Sequence, residues 1–338
     1  MKTTRTLMTV LAACVALSLG ACTASTPAAE SPSPAVTEKS PVTLTTAWGA
    51  QEIPADPKRV AVVSYGDRSI AYALGIVPVI EWRYPGVTAA PYVTEARQRL
   101  GITDPVTFDA SDGTDFAAIA EADPDVILAM NSYSMDDDFK QLAKIAPVIT
   151  FEKTDQALSM TWQDRLLRAA LGLGLTEKAE QVIAANQQVV TDAKAAHPEL
   201  AGKTYTYLVV HPEQISYMSH AQAAPSPLDD LGLVKSANAA KFTRDNNKLS
   251  LENLDLADAD VLLIAYPFGD EGLLSRSELE KKPLWTKIPA VAAGRWAIID
   301  SESGLASDVA YPDTLSYPWV VQQLTPVLVK ALAGEGPA

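Results

Sequence analysis

Between Arg59 and Glu152, short β-branched runs take turns with helical segments. The alternation then stops for one helical pattern from Ser159 to His197 and resumes after Pro198. That single interruption constrains the fold more than any other feature of the chain. RVAVVSY, VPVIEW, DVILAM and PVITFE read as strands, and DRSIAYALG, TDFAAIAEA and DFKQLAKIA as helices, the first closed by Gly75. Strands alternating with helices give a mostly parallel sheet covered on both faces. In the interrupting stretch Trp162, Leu166, Leu167, Ala170 and Leu171 share one face at helical spacing, disturbed only near Gly172 and Gly174. Beyond it TYTYLVVH, QISYMS, DVLLIAYP and WAIIDS read as strands, and PLDDLGL and YPWVVQQLTPVLVKALAG as helices. Before the first strand, VTLTTA and QEIP flank a turn at Trp48-Gly49-Ala50 and read as a hairpin. The expected class is α/β. Two α/β lobes with mostly parallel sheets, residues 42–157 and 199–338, are joined by one long backbone helix over residues 158–198. A single connection sets the lobes facing each other across a cleft, and ligand sites favour domain interfaces and the carboxyl ends of parallel strands.

The N-terminal segment has a different character. Lys2 and Arg5 precede an apolar run from Leu7 to Ala21. That run is shorter than the roughly 20 residues a spanning helix needs, so residues 1–21 read as a secretory signal peptide. Leu19-Gly20-Ala21-Cys22 resembles the lipobox of bacterial lipoproteins, in which the cysteine is acylated and becomes the new N-terminus. Residues 22–41 are mostly Thr, Ala, Ser and Pro, with little to bury, and read as a disordered tether reaching at most about 60 Å. The expected location is the extracytoplasmic face of the cell membrane, held by lipid on Cys22.

Composition removes several function classes. The only cysteines are Cys14 and Cys22, so the body has neither a thiol nucleophile nor a disulfide. Lys and Arg number 27 against 41 Asp and Glu, a formal net charge of −14, which argues against nucleic acid as a partner. HExxH, GxSxG, GxxxxGK[ST] and Ser-x-x-Lys are all missing. Gly172-Leu173-Gly174 lacks the third glycine of a dinucleotide loop, and His197, His211 and His220 are too scattered for a zinc cage. The residues describe a binding protein rather than an enzyme.

Four stretches carry a family resemblance: PADPKRVAVVSYGDRSIAYALGIVPVIEW, ADPDVILAMNS, KLSLENLDLADADVLLI and PLWTKIPAVAAGRWAIID. Together they resemble the substrate-binding lipoproteins of ABC importers for ferric siderophores, cobalamin and haem, and most closely the ferric-siderophore branch. The resemblance implies a periplasmic-binding-protein-like fold of the siderophore class whose long helix keeps lobe movements small. It also implies that a ferric siderophore is captured in the cleft and delivered to an ABC permease dimer by a monomeric receptor. The ligand would then be an iron(III) chelate, with no permanently bound cofactor or metal. A haem receptor on the same scaffold is the alternative, kept open by His211, His220 and several tyrosines, since haem iron takes His or Tyr ligands.

Cleft residues are expected just past the carboxyl ends of strands. In the N-lobe these are Tyr65 and Arg68, Arg83 and Tyr84, and Asn131 and Tyr133, with Trp162 at the start of the long helix. In the C-lobe they are Tyr217, Arg244, Tyr266 and Tyr317. Arginine presents a planar fork to chelate oxygens, and aromatic rings pack on apolar ligand backbone. In the resembled family a glutamate on each lobe pairs with permease arginines. SLENL places Glu252 in the C-lobe role. In the N-lobe that position is Ala117, which leaves Asp115 and Glu121 as substitutes.

Overall fold

The computed structural model describes residues 40–336 except 133, 213, 219–225, 244, 266–271 and 300. The expected signal peptide, nearly all of the tether, the acylated Cys22, and the site candidates Tyr133, Arg244 and Tyr266 lie outside the described residues.

The chain opens with the expected hairpin, β1 (Val42–Thr46) and β2 (Gly49–Ile53), paired from Val42↔Ile53 to Thr46↔Gly49. Its turn residue Trp48 stacks on Phe139 at 5.0 Å and leans on Phe151 at 5.3 Å, which pins the hairpin to the N-lobe. The N-lobe follows as β3 (Val60–Val62), α1 (Tyr65–Ala73), β4 (Glu81–Arg83), α2 (Pro91–Leu100), β5 (Thr107–Asp109), α3 (Phe116–Glu121), β6 (Val126–Leu128), α4 (Met135–Ile145) and β7 (Val148–Ile149). β3, β6 and β7 are parallel neighbours, as are β4 and β5. A parallel bridge between Ala61 and Ile80 joins the two groups into the order β5-β4-β3-β6-β7. All three residues of β3 and of β6 are buried, as expected for parallel strands covered on both faces.

The stretch expected to be one connecting helix is three. A short α5 (Gln156–Ser159) leads to α6 (Trp162–Leu173), and α7 (Thr176–Ala196) follows. Gly174 ends α6 in the left-handed region, φ 65°, with its N–H on the carbonyls of Ala170 and Leu171; a residue with a Cβ resists this conformation. The split is functional in packing terms. α6 lies on β1 and β7 of the N-lobe, while α7 lies against α6 and the C-terminal helix. At 21 residues and about 1.5 Å per residue, α7 is the long strut between the lobes.

The C-lobe comprises β8 (Thr204–Val210), β9 (Ile215–Tyr217), α8 (Pro227–Asp230), β10 (Val234–Lys235), β11 (Lys248–Leu249), β12 (Val261–Ala265), α9 (Arg276–Glu280), α10 (Pro289–Ala292), β13 (Trp296–Ile299), α11 (Leu305–Ala310) and α12 (Ser316–Leu332). Its sheet runs β11-β9-β8-β12-β13, with β10 beside the start of β8. β8, β10, β12 and β13 are parallel, while β9 runs antiparallel to β8 and β11 antiparallel to β9. The antiparallel β9 decides where one expected site residue lies.

In the N-lobe α2 and β5 escaped the sequence pattern, and in the C-lobe the short β10, β11, α9, α10 and α11 did. α2 begins with Pro91 in its first turn and ends at left-handed Gly101. That Pro-to-Gly asymmetry was the available signal.

Candidate ligand site

In parallel α/β lobes the helix after each strand begins at that strand's carboxyl end. The starts of α1 and α6 therefore gather at one edge of the N-lobe, together with the segments after β4 and β6. There the aromatic candidates meet. Trp82 lies 6.4 Å from Tyr65 and 5.7 Å from Tyr84, ring centre to ring centre. Trp82 and Tyr84 are two residues apart on an extended segment, so they share a face. Tyr84 is 44% exposed, and Arg83 between them is exposed, its Nε donating to Thr107 Oγ1 at 3.3 Å. Trp82 was not among the expected site residues; the alternation of its strand was the signal that could have found it. Behind this strand Glu81 is buried and accepts from both Tyr72 and Arg97, and Arg97 Nε also donates to Tyr72 at 3.1 Å. This buried triad holds the base of the Arg83–Tyr84 segment.

Other expected residues are committed elsewhere. Asn131 accepts from Arg165 at 3.0 Å, and its backbone N–H donates to Asp67 at 3.2 Å. It therefore fixes the end of β6 rather than reaching for a ligand. Asp67 also accepts from Ser64 Oγ at 2.6 Å and from the Met130 N–H at 2.7 Å. Arg165, in the first turn of α6, donates to the carbonyls of Met130, Met160 and Ala157, so all three of its nitrogens are used. Gly66 is required here, because a Cβ would overlap the Asn131 amide. Burial pushes the Asp67 carboxyl up to about 6 against the pull of these donors. The sign follows: its contribution to stability is full below its unfolded pKa near 4 and is lost as pH rises through about 6. The urea midpoint is expected to be lower at about pH 8 than at about pH 5; a higher midpoint at pH 8 would contradict this.

Tyr217 is corrected outright. It is 1% exposed, stacks on Phe242 at 4.3 Å, and hydrogen-bonds Thr206 and Ser236 at 3.0 and 2.6 Å. The carboxyl end of a strand faces the ligand edge only if the strand runs parallel to its neighbours, and β9 does not. Trp162 and Tyr317 are likewise buried, ring against ring at 5.0 Å, and Tyr317 donates to Asp230. They join α6 to α12 as a contact between lobes. Arg68 is turned toward the C-lobe, where it faces Asp313, and its Nε is buried with no hydrogen-bond partner among the described residues.

Of the docking candidates, Glu252 is exposed at the start of the 3-10 segment Leu251–Ala257, just past β11. β11 runs in the direction of β8, so Glu252 stands on the ligand-edge face. Asp115 is exposed and caps α3, accepting from the Ala118 N–H at 2.9 Å, on the corresponding N-lobe face. Glu121 is at the wrong end. It closes α3, and the next residues, Ala122 and Asp123, give their carbonyls to Arg59 at the start of β3. That places it at the amino ends of the strands.

A separate pocket of about 180 Å³ is lined by Val210, His211, Leu251, Leu254, Leu279 and Trp285 among others, all of the C-lobe. It is not the space between the lobes. Among the described residues no helix is long and apolar enough to cross a membrane, and no group of three or more His, Cys, Asp or Glu is arranged to hold a metal.

Two α/β lobes on a helical strut, with an aromatic and arginine-bearing edge at the carboxyl ends of the N-lobe strands, fit a two-lobed solute-binding protein. A family model described as Periplasmic binding protein matches residues 60–303, and the chain belongs to that family. Among curated relatives, the probable siderophore-binding lipoprotein YfiY of Bacillus subtilis (strain 168) is 26% identical over 264 residues, covering 74% of this chain and 77% of YfiY. The activator Btr of the same organism is 26% identical over 178 residues, 52% of this chain; the match spans only 32% of Btr. Among solved structures, PiaA of Streptococcus pneumoniae TIGR4 in complex with ferrichrome superimposes with a TM-score of 0.72 at 26% identity, covering 87% of this chain and 99% of PiaA.

Proposed function

We propose that the protein captures a ferric siderophore between its lobes and delivers it to an ABC permease for iron uptake. The observation that carries this reading is the exposed Arg83 set between Trp82 and Tyr84 at the ligand edge, with Tyr65 beyond Trp82. A ferric chelate offers a shell of oxygen acceptors on an apolar backbone. One guanidinium and a run of rings match both parts. The likeness to PiaA, whose structure holds ferrichrome, supports the same class of ligand.

Delivery rests on Glu252 and Asp115 as the carboxylates offered to the permease, one per lobe. The lipobox-like LGAC supports acylation at Cys22, and the name of YfiY as a lipoprotein agrees with an anchored receptor at the outer face of the cell membrane. The reading needs binding and release, not a nucleophile or a resident cofactor.

Arg83→Ala is the direct test of the site. A hydrogen bond to a charged group contributes about 1.5–3 kcal/mol, so affinity for ferrichrome is expected to fall roughly ten- to a hundredfold. Equilibrium titration reads this, and an unchanged dissociation constant would remove Arg83 from the site.

A further inference from the structure

Among the described residues, two hydrogen bonds cross from one lobe to the other, and both end on a buried carboxylate. Ser69 of α1 donates to Asp313 Oδ2 at 2.6 Å, and Tyr92 of α2 donates to Asp308 Oδ2 at 2.9 Å. Both aspartates are buried. The Asp313 turn is rigid. Its Oδ1 accepts from the N–H groups of Leu315 and Ser316, each at 2.8 Å, and Asn186 of α7 holds the next carbonyl, that of Thr314, at 2.9 Å. Tyr92 also leans on Trp319 of α12, ring centres 5.5 Å apart. Among the described residues, the charged and titratable groups that face the pair include Arg68 from α1 and Tyr92 from α2, and Tyr207 of β8 donates to the Ala306 carbonyl of α11. α12 contributes Ser316 and Trp319, and α7 contributes Asn186, none of which titrates.

The charge count at this junction is uneven, with one guanidinium for two carboxylates. Arg68 balances Asp313, and Asp308 is left with a neutral phenol. A second buried negative charge here would be uncompensated, and it would sit on the Tyr92 bond that ties α11 to α2.

We propose that Asp308 and Asp313, with Ser69, Tyr92 and Arg68, form a latch that fixes the spacing of the lobes while one carboxyl is protonated and loosens when both ionise. These are positioning residues. They act on the spacing of the lobes, so the proposal stands whether or not the ligand is a siderophore. The pair's protonation agrees with the geometry: burial, and then the neighbouring Asp313, push Asp308 up to about 8, and burial pushes Asp313 up as well. The folded value is raised, so the latch is intact on the acid side and is lost as pH rises through about 8.

Hydrogen exchange on the full chain, without ligand and corrected for the intrinsic pH dependence of exchange, tests this. Protection of peptides covering α1 and α11 is expected to fall roughly tenfold or more between about pH 6.5 and 9.5, while that of β12 stays level. Asp308→Asn keeps the acceptor for Tyr92 and removes the charge, so its protection should stay level across the range. Wild-type protection that does not change with pH, or an Asp308→Asn protein that loosens as wild type does, would overturn the latch. If Asp308→Asn does not fold, the ¹³C resonance of the wild-type Asp308 carboxyl decides: titration near pH 8 supports the proposal, and titration near the ordinary aspartate value of about 4 overturns it.

Discussion

Cells whose only copy of the protein carries Glu252→Arg are expected to take up chelated iron at the background rate, while the purified variant binds the chelate as wild type does. Glu252 is exposed and belongs to no ion pair found among the described residues, so reversing its charge leaves the C-lobe core intact. It stands on the ligand-edge face, just past β11, and Asp115 occupies the matching face of the N-lobe. A rim charge of this kind guides encounter more than it adds affinity, whereas a like charge set against the arginines of the proposed permease partner would oppose docking by several kcal/mol. Charge reversal is therefore the sharper probe, and Glu252→Gln should slow uptake without ending it. Radioiron uptake reads the effect. Wild-type uptake by the Glu252→Arg strain would end the docking role.

Arg165→Ala is expected to destabilise the protein by about 3–5 kcal/mol at neutral pH, the usual consequence of removing one partner from a buried charged network. Arg165 closes three gaps at once: the end of β6 at Met130, the α5 carbonyl of Ala157, and the link into α6 at Met160. Its loss strands those carbonyls and leaves the buried Asp67 without its facing cation. The pH dependence separates the two effects. Asp67 takes up a proton as pH falls through about 6, so the deficit should shrink in mild acid by the part owed to its charge. Urea unfolding of both proteins at about pH 5 and pH 7.5 measures it. A loss under about 1 kcal/mol at pH 7.5 would show that the network is not holding the strand ends.

The class of fold was legible because parallel strands buried on both faces are written as short apolar runs, and β3, β6 and β12 follow that rule. The long connection was legible as helix, with a disturbance near Gly172 and Gly174, but not as separate helices. The left-handed backbone of Gly174 turns that disturbance into the break between α6 and α7. Position was legible where it depends on chain order alone: Arg83 and Tyr84 lie at the end of a parallel strand. Tyr217 misled because strand direction is not written in a strand's own residues: β9 is antiparallel by virtue of a tight turn from β8. Trp162, Tyr317 and Arg68 misled for another reason. Residues at a junction of two lobes can serve the junction itself, and composition does not separate that use from contact with a ligand.

The central claim is that this edge, on this pair of lobes, binds a ferric siderophore. Trp82 lies within the candidate site and serves as a reporter. Quenching of tryptophan fluorescence, titrated with hydroxamate, catecholate and carboxylate ferric chelates and with haemin and cobalamin, tests the claim most directly. We expect saturable quenching by at least one ferric chelate, lost in Trp82→Phe and weakened in Arg83→Ala, with no Soret shift on adding haemin. Saturable binding of haemin or cobalamin alone, with no ferric chelate bound, would contradict the account.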